Sequence, residues 1–229
     1  PVIYFHQKNP ETLAREVGEY VITSKNDREE TGIHEQYVKL LKAMSSSLGT
    51  DEKNPASWIS GFFGSGKSSF AKLLGLSFGE IKLPSGKLLS DALIERDDTP
   101  NAHEFGKVWK ECKEKFGNTI AVVFDISAEA KSLELPSSVI YRQIQVELGY
   151  SNKEAVARYE LALQKEGKYE LFLQKYREHY KNEWKNEKDK SKSPDEFSYI
   201  YHLLYPNEFP RPTDWFKTHY NNQALKEVE

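Results

Sequence analysis

Cysteine, methionine and long apolar runs are almost missing from this 229-residue sequence, which has one cysteine and one methionine. The single cysteine, Cys112, excludes an internal disulfide and fits a reducing compartment. We expect Cys112 to be a packed or exposed helix residue rather than a catalytic thiol. A membrane-crossing helix needs roughly 20 apolar residues in succession, and the sequence has no such run. The first ten residues also lack the basic and apolar regions of a signal peptide. We therefore expect a cytoplasmic location and no membrane contact.

An excess of positive charge is also missing. The 32 lysines and arginines are balanced by 35 aspartates and glutamates, giving a net charge of −3. No basic field is therefore available to attract a phosphate backbone across the whole domain. The most basic stretch, 175–192, alternates charges around Tyr176, Tyr180 and Trp184. It fits a nucleic-acid surface or, as we favour, a solvated helix with inward aromatics followed by a flexible linker at 188–193.

Periodic apolar residues predict a helix-rich chain. Asn9 and Pro10 have the pattern of an N-cap followed by a first-turn proline. Apolar residues at helical spacing predict helices over 10–23, from Ile33 to Met44, and over 68–76, 88–94, 103–116, 137–148, 153–165, 168–183 and 195–204. Residues 48–55 are expected to form a polar turn, and Pro84, Ser85 and Gly86 a hairpin tip. Both ends look like cuts in a longer protein, since the last seven residues, QALKEVE, have a helical pattern.

Two segments predict buried strands. Ser57–Phe63 is short, apolar and β-prone, and TIAVVFDI at 119–126 is a continuous apolar run. We expect an α/β fold with a parallel sheet, because continuous apolar strands are typical of a sheet that is buried on both faces. The predicted organisation is an N-terminal helical region at 1–50, a partial P-loop core at 51–150, and a helical extension with a proline-rich tail at 151–229.

The octapeptide GFFGSGKS at 61–68 matches G-x-x-x-x-G-K-[ST] at every fixed position. Glycines permit the backbone angles that turn successive amides toward phosphate oxygens, and the N-terminus of the following helix favours an anion. A chance match is expected in about one chain in a hundred of this length. The alternative is an ordinary glycine-rich turn, but the strand-like segment before the motif and the helical one after it favour a phosphate-binding loop.

Each polar residue of the motif has an expected role. Lys67 supplies a positive charge to the β- and γ-phosphates, Ser68 offers a hydroxyl ligand to Mg²⁺, and Ser69 reaches the α-phosphate. We expect one of Phe62 and Phe63 to pack under the loop and the other to shield the phosphates. The residues predicted to bind ATP and Mg²⁺ are Gly61, Phe62, Phe63, Gly64, Ser65, Gly66, Lys67, Ser68 and Ser69, with Ser68 as the metal ligand.

Catalytic residues are less evident than binding residues. Hydrolysis by a P-loop protein needs an acidic residue at the end of a second strand. Asp125 ends the segment TIAVVFDI, but Ile126 and Ser127 follow it where a catalytic glutamate is expected. Asp125 is therefore either the Mg²⁺ partner or a residue of a neighbouring strand, with the acidic strand lying beyond Glu229.

Several segments together resemble the N-terminal part of the large ATPases of BREX bacteriophage-defence systems, the BrxC and PglY proteins. The sequence LAREVGEYVIT at 13–23 is similar to an E-x-x-E-Y-V-[IV]-T segment of that family, and WISGFFGSGKSSFAKLL at 58–74 to its Walker A region. Further similarities are LGY at 148–150, EGKY at 166–169, Trp184, and YPNEFPRPTDW at 205–215. The resemblance covers nearly the whole chain, although only the phosphate loop has a chemical meaning of its own.

The resemblance implies an AAA+/STAND-like P-loop core decorated by helices. It also implies a bacterial anti-phage complex as the setting, with other complex subunits as partners, DNA contacted through that complex, and self-association into an oligomer. In such proteins the acidic strand comes later in the chain, so the resemblance favours an acidic strand beyond Glu229 over Asp125 as the Mg²⁺ partner. The expected function is ATP binding and hydrolysis by a component of that complex.

Two other functions remain open at this point. A nucleotide-gated scaffold with little hydrolysis fits the absence of an Asp-Glu pair after TIAVVFDI. A small-molecule kinase would use the same loop together with lid arginines, for which Arg142 and Arg158 are isolated candidates.

Overall fold

The computed structural model describes residue 5 and residues 7–25, 31–47 and 56–221. These residues divide into two compact units, one ending at Asp125 and the other beginning at Ile126. The predicted turn at 48–55 and the helical pattern at 223–229 lie outside the described residues. The three-region division made from the sequence stays a prediction.

The first unit contains five α-helices among its described residues. They are α1 (Pro10–Glu19), α2 (Ile33–Ser47), α3 (Lys67–Ser77), α4 (Leu89–Glu95) and α5 (Ala102–Phe116). At the start of α1, the Asn9 side chain accepts a hydrogen bond from the backbone N–H of Thr12 at 2.8 Å, and Pro10 occupies the first turn. This confirms the predicted cap and proline. The hairpin tip at 84–86 is also confirmed, since Lys82 and Leu88 form an antiparallel bridge around it.

Buried residues from all five helices form the core of the first unit. At its centre, the Tyr37 ring of α2 lies between the rings of Phe70 from α3 and Phe105 from α5, with ring centroids 4.1 Å and 5.1 Å away. Burial raises the pKa of the Tyr37 hydroxyl, which therefore stays protonated. This stack of three aromatic rings fixes α2 relative to α3.

The predicted α/β fold with a parallel-sheet P-loop core is wrong, because the described residues contain no β-strand. Residues 56–62 and 119–125 have no helix or strand assignment, and no pairing is formed between them. Residues 119–123 instead pack against the C-terminal half of α3: Thr119 donates to the carbonyl of Phe78, and Val123 approaches Gly75. A strand exists only through hydrogen bonds to a neighbouring strand, so a β-prone sequence without such a neighbour stays extended.

The second unit is helical throughout its described length. Its helices are α6 (Ile126–Glu129), α7 (Pro136–Glu147), α8 (Glu154–Lys165), α9 (Tyr169–Tyr180), α10 (Trp184–Glu187) and α11 (Ser193–Leu204), followed by a π-helical segment at Phe216–Asn221. An aromatic cluster forms its core, and the proline-rich tail contributes Phe209 and Trp215 to it. The helices predicted from periodicity are thus confirmed, with ends shifted by a few residues.

The charged stretch 175–192 belongs to this core. Tyr176 and Trp184 are buried, which confirms that its aromatics point inward. The predicted flexible linker at 188–193 is wrong, because the backbone there is hydrogen-bonded: the carbonyl of Lys188 accepts from the Ser151 hydroxyl at 2.8 Å, and Ser193 opens α11. Among the described residues, no helix combines the length and apolar character needed to span a bilayer.

Candidate phosphate-binding site

The segment 61–66 forms a tight loop that leads directly into α3. Gly64 and Gly66 have φ values of 80° and 82°, in the left-handed region that glycine adopts most readily. The loop folds back on itself, since a Cβ placed on Gly61 would lie 2.8 Å from the Ser65 hydroxyl oxygen. Glycine is therefore favoured at 64 and 66 by the backbone conformation, whereas a side chain at Gly61 would displace the Ser65 hydroxyl.

Lys67 is the first residue of α3, and its side chain curls back over the loop. Its ammonium group donates to the carbonyl of Gly61 at 2.9 Å and to that of Phe62 at 2.7 Å. The positive charge is thus held at the centre of the loop. No side chain caps the N-terminus of α3, so the first-turn amides and the positive end of the helix dipole are left for an anion.

Ser68 and Ser69 occupy the first turn of α3, where Ser68 is exposed and Ser69 half-buried. The described residues contain no group of three or more His, Cys, Asp or Glu side chains that could hold a metal ion. Mg²⁺ commonly takes most of its ligands from substrate phosphates and water. Binding of Mg²⁺ by the Ser68 hydroxyl stays a prediction.

The two phenylalanines of the motif do not pack under the loop. Phe62 is 91% exposed and Phe63 is fully exposed, so the expectation that one of them supports the loop is wrong. Support comes from below α3 instead, where Phe70 enters the aromatic stack with Tyr37. Lys72 is fully buried and pairs with Glu16 of α1, its ammonium lying 2.8 Å from the carboxylate.

A groove of about 780 Å³ opens beside the loop. One wall is formed by residues 57–62 and 65–67, and the opposite wall by one face of α2 and the residues before it. Among the lining residues that the structure describes, Lys39 and Lys67 are charged and none is acidic. The two ammonium groups attract an anionic ligand. Sequence patterns did not identify the α2 wall, because only the tertiary fold brings it to the loop.

Asp125 is exposed and is the last residue of the first unit. The segment before it runs antiparallel to α3, since Thr119 lies beside Phe78 and Val123 beside Gly75. This direction leads the chain toward the loop end of α3. The earlier prediction of where the acidic residue needed for ATP hydrolysis lies stays a prediction.

The two arginines considered for a kinase lid lie in the second unit and form ion pairs there. Arg142 is buried and donates to Glu134 at 3.0 Å, and Arg158 pairs with Glu154 at 2.9 Å, one helical turn away. The Glu134 carboxyl has a lowered pKa; burial acts to raise it, but hydrogen bonds from Arg142 and Lys131 outweigh that effect. Structural ion pairs thus account for both arginines.

No protein-family model, no curated protein and no solved structure gives a significant match to this chain.

Proposed function

We propose that this chain binds a nucleoside triphosphate, ATP with Mg²⁺, with the phosphates on the loop Gly61–Ser69. The observation that carries the proposal is the position of the Lys67 ammonium, 2.9 Å and 2.7 Å from two carbonyls of the loop that it follows. A lysine held there can exchange those carbonyls for phosphate oxygens without leaving the loop. The uncapped amides of α3 add further donors to the same anion.

The residues of the loop have different roles in binding the triphosphate and Mg²⁺. Lys67 neutralises the terminal phosphates, the Ser68 hydroxyl joins the shell of Mg²⁺, and Ser69 reaches the phosphate nearest the nucleoside. Gly61, Gly64 and Gly66 give the backbone its curvature, while Ser65 follows the turn and Phe62 and Phe63 project into solvent. Bound Mg²⁺ would supply charge neutralisation between the phosphates.

The binding test compares two lysine substitutions that remove the same charge. Lys67→Ala is expected to weaken ATP·Mg²⁺ binding roughly tenfold to a hundredfold, because a charge-assisted hydrogen bond is worth about 1.5–3 kcal/mol. Lys107→Ala is the control, since Lys107 lies exposed on α5 with its side chain 72% accessible. Isothermal titration calorimetry measures both. Equal affinities for the two variants would refute the proposal.

The wider setting is a proposal supported by the segmental resemblance. We propose that the chain acts within a cytoplasmic anti-phage complex related to BREX systems, together with other subunits, with copies of itself, and with DNA through the complex. ATP hydrolysis in that setting would use an acidic residue in addition to the loop. Phage protection that survives Lys67→Ala in the assembled complex would contradict this role.

A nucleotide-gated scaffold is the second candidate. It is motivated by Ile126 and Ser127, which follow Asp125 where a catalytic glutamate would be expected. A scaffold predicts tight ATP binding and no phosphate release even in the assembled complex. Measured turnover that depends on Lys67 would favour the ATPase instead.

A further inference from the structure

The groove beside the loop extends well beyond the positions that phosphates would occupy. Its volume of about 780 Å³ lies within the range of whole-ligand sites, about 300–1,000 Å³. Outside the loop, its lining combines apolar residues, among them Ile33, Leu40 and Trp58, with polar but mostly uncharged side chains. An apolar surface with a small number of polar groups suits a nucleoside rather than further phosphates.

Trp58 is the most unusual residue of this lining. Its indole is 93% exposed, whereas Trp109, Trp184 and Trp215 are buried in their cores. An exposed indole on the wall of a groove offers a flat face on which a base can stack. Trp58 precedes Gly61 by three residues, so a ligand that reaches from Lys67 along this wall meets it directly.

The opposite wall carries an amide that can read the edge of a base. Gln36 of α2 donates one amide hydrogen to the Thr31 hydroxyl at 2.6 Å. Its carbonyl oxygen and its second N–H make no hydrogen bond to the residues that the structure describes, and together they match the N–H donor and ring-nitrogen acceptor of adenine. Guanine presents two neighbouring N–H donors, which a carboxylate would accept best, and the lining residues that the structure describes include no carboxylate.

We propose that the groove between α2 and residues 57–61 is the nucleoside subsite, with an adenine base stacked on Trp58 and its edge bonded to Gln36. This inference rests on the proposed function, since the triphosphate at Lys67 places the nucleoside in the groove. Lys39, the other cation of the groove, adds to its attraction for the phosphates.

The test separates the nucleoside from the phosphates by comparing ATP with inorganic tripolyphosphate. Trp58→Ala is expected to weaken ATP binding at least about fivefold, and to leave tripolyphosphate binding unchanged. Trp58→Phe keeps an aromatic face and should stay within about threefold of the parent affinity. ATP, but not tripolyphosphate, should shield the exposed tryptophan from acrylamide quenching. Unchanged ATP affinity in Trp58→Ala would overturn the stacking assignment.

A second set of variants tests the preference for adenine over guanine. The parent chain should bind ATP more tightly than GTP, and Gln36→Ala should bring the two affinities to within about twofold. Thr31→Val is the control, because it removes the hydrogen bond to Gln36 but keeps the amide. GTP bound as tightly as ATP by the parent chain would overturn the adenine assignment. If neither ATP nor tripolyphosphate binds, the proposed function fails, and the nucleoside subsite fails with it.

Discussion

At the level of single residues, an added methyl group should have opposite effects on stability at two glycines of the first unit. Gly66 has a φ of 82°, a conformation that costs an L-residue roughly 1–2 kcal/mol. Gly18 lies within α1 with no atom near the position of a Cβ, and alanine there stabilises a helix by about 0.5–1 kcal/mol. The same substitution should therefore have opposite signs at the two positions.

We expect Gly66→Ala to lower the free energy of unfolding and Gly18→Ala to raise it, both measured by urea denaturation. Gly66→Ala should also weaken ATP binding, because the loop and the start of α3 must shift, while Gly18→Ala should leave the affinity unchanged. Stabilisation of both variants would show that the loop does not need the left-handed conformation.

Much of the candidate site could be predicted at this scale, since the motif specifies its own glycines, lysine and serine. The Asn9 cap was predictable for the same reason, because a cap depends on residues three positions apart. The exposure of Trp58 and Phe62 was not predictable, because burial depends on what the rest of the chain places nearby. Gln36 carries no local pattern that connects it to the loop.

At the level of secondary structure, the helices could be predicted from the sequence, whereas the two predicted strands are not formed by the described residues. An α-helix satisfies its hydrogen bonds within one segment, so apolar periodicity is sufficient evidence for α5 or α8. The segment TIAVVFDI has the composition of a buried strand, but its backbone needs a partner that no local pattern supplies. In the structure it packs its side chains on α3 instead.

The helices of the second unit meet at a buried carboxylate that sequence patterns also missed. Glu160 of α8 accepts hydrogen bonds from the Ser151 backbone N–H at 2.7 Å, the Trp184 indole at 2.6 Å and the Tyr169 hydroxyl at 3.0 Å. Burial raises the pKa of Glu160 above its usual value, against the lowering effect of these donors. One side chain thus joins α8, α9 and α10.

This carboxylate predicts a pH dependence of stability. The folded chain keeps the proton of Glu160 at a pH where the unfolded chain has lost it, so the free energy of unfolding falls as pH rises from about 4.5 through the raised pKa. Glu160→Gln cannot titrate. The Glu160→Gln chain should also have a lower free energy of unfolding than the parent, by about 1–3 kcal/mol, because the amide NH₂ of the glutamine would face a hydrogen-bond donor.

The measurement is urea unfolding of the parent chain and Glu160→Gln between pH 4 and about pH 8. Since all other groups titrate alike, the stability difference between the two should shrink as pH rises through this window. A difference that stays constant would contradict the raised pKa of Glu160.

At the scale of the whole molecule, the two hydrophobic cores share no residue. One is built from positions between Leu13 and Val123, and the other from positions between Ala155 and Tyr220. The candidate site, including the groove, lies within the first of these units. A ligand that binds only the folded form of that unit should stabilise that unit alone.

Hydrogen exchange with and without ATP·Mg²⁺ tests this separation. At a ligand concentration of 100 times Kd, the stabilisation is about 2.7 kcal/mol, which slows exchange through global unfolding of the first unit roughly a hundredfold. Amides of α2, α3 and α5 should show this slowing, while those of α8, α9 and α11 should exchange as before. Lys67→Ala should abolish the effect. Equal slowing in both sets of helices would mean that the chain unfolds as one cooperative body, because only then does binding at the loop protect amides of the second core.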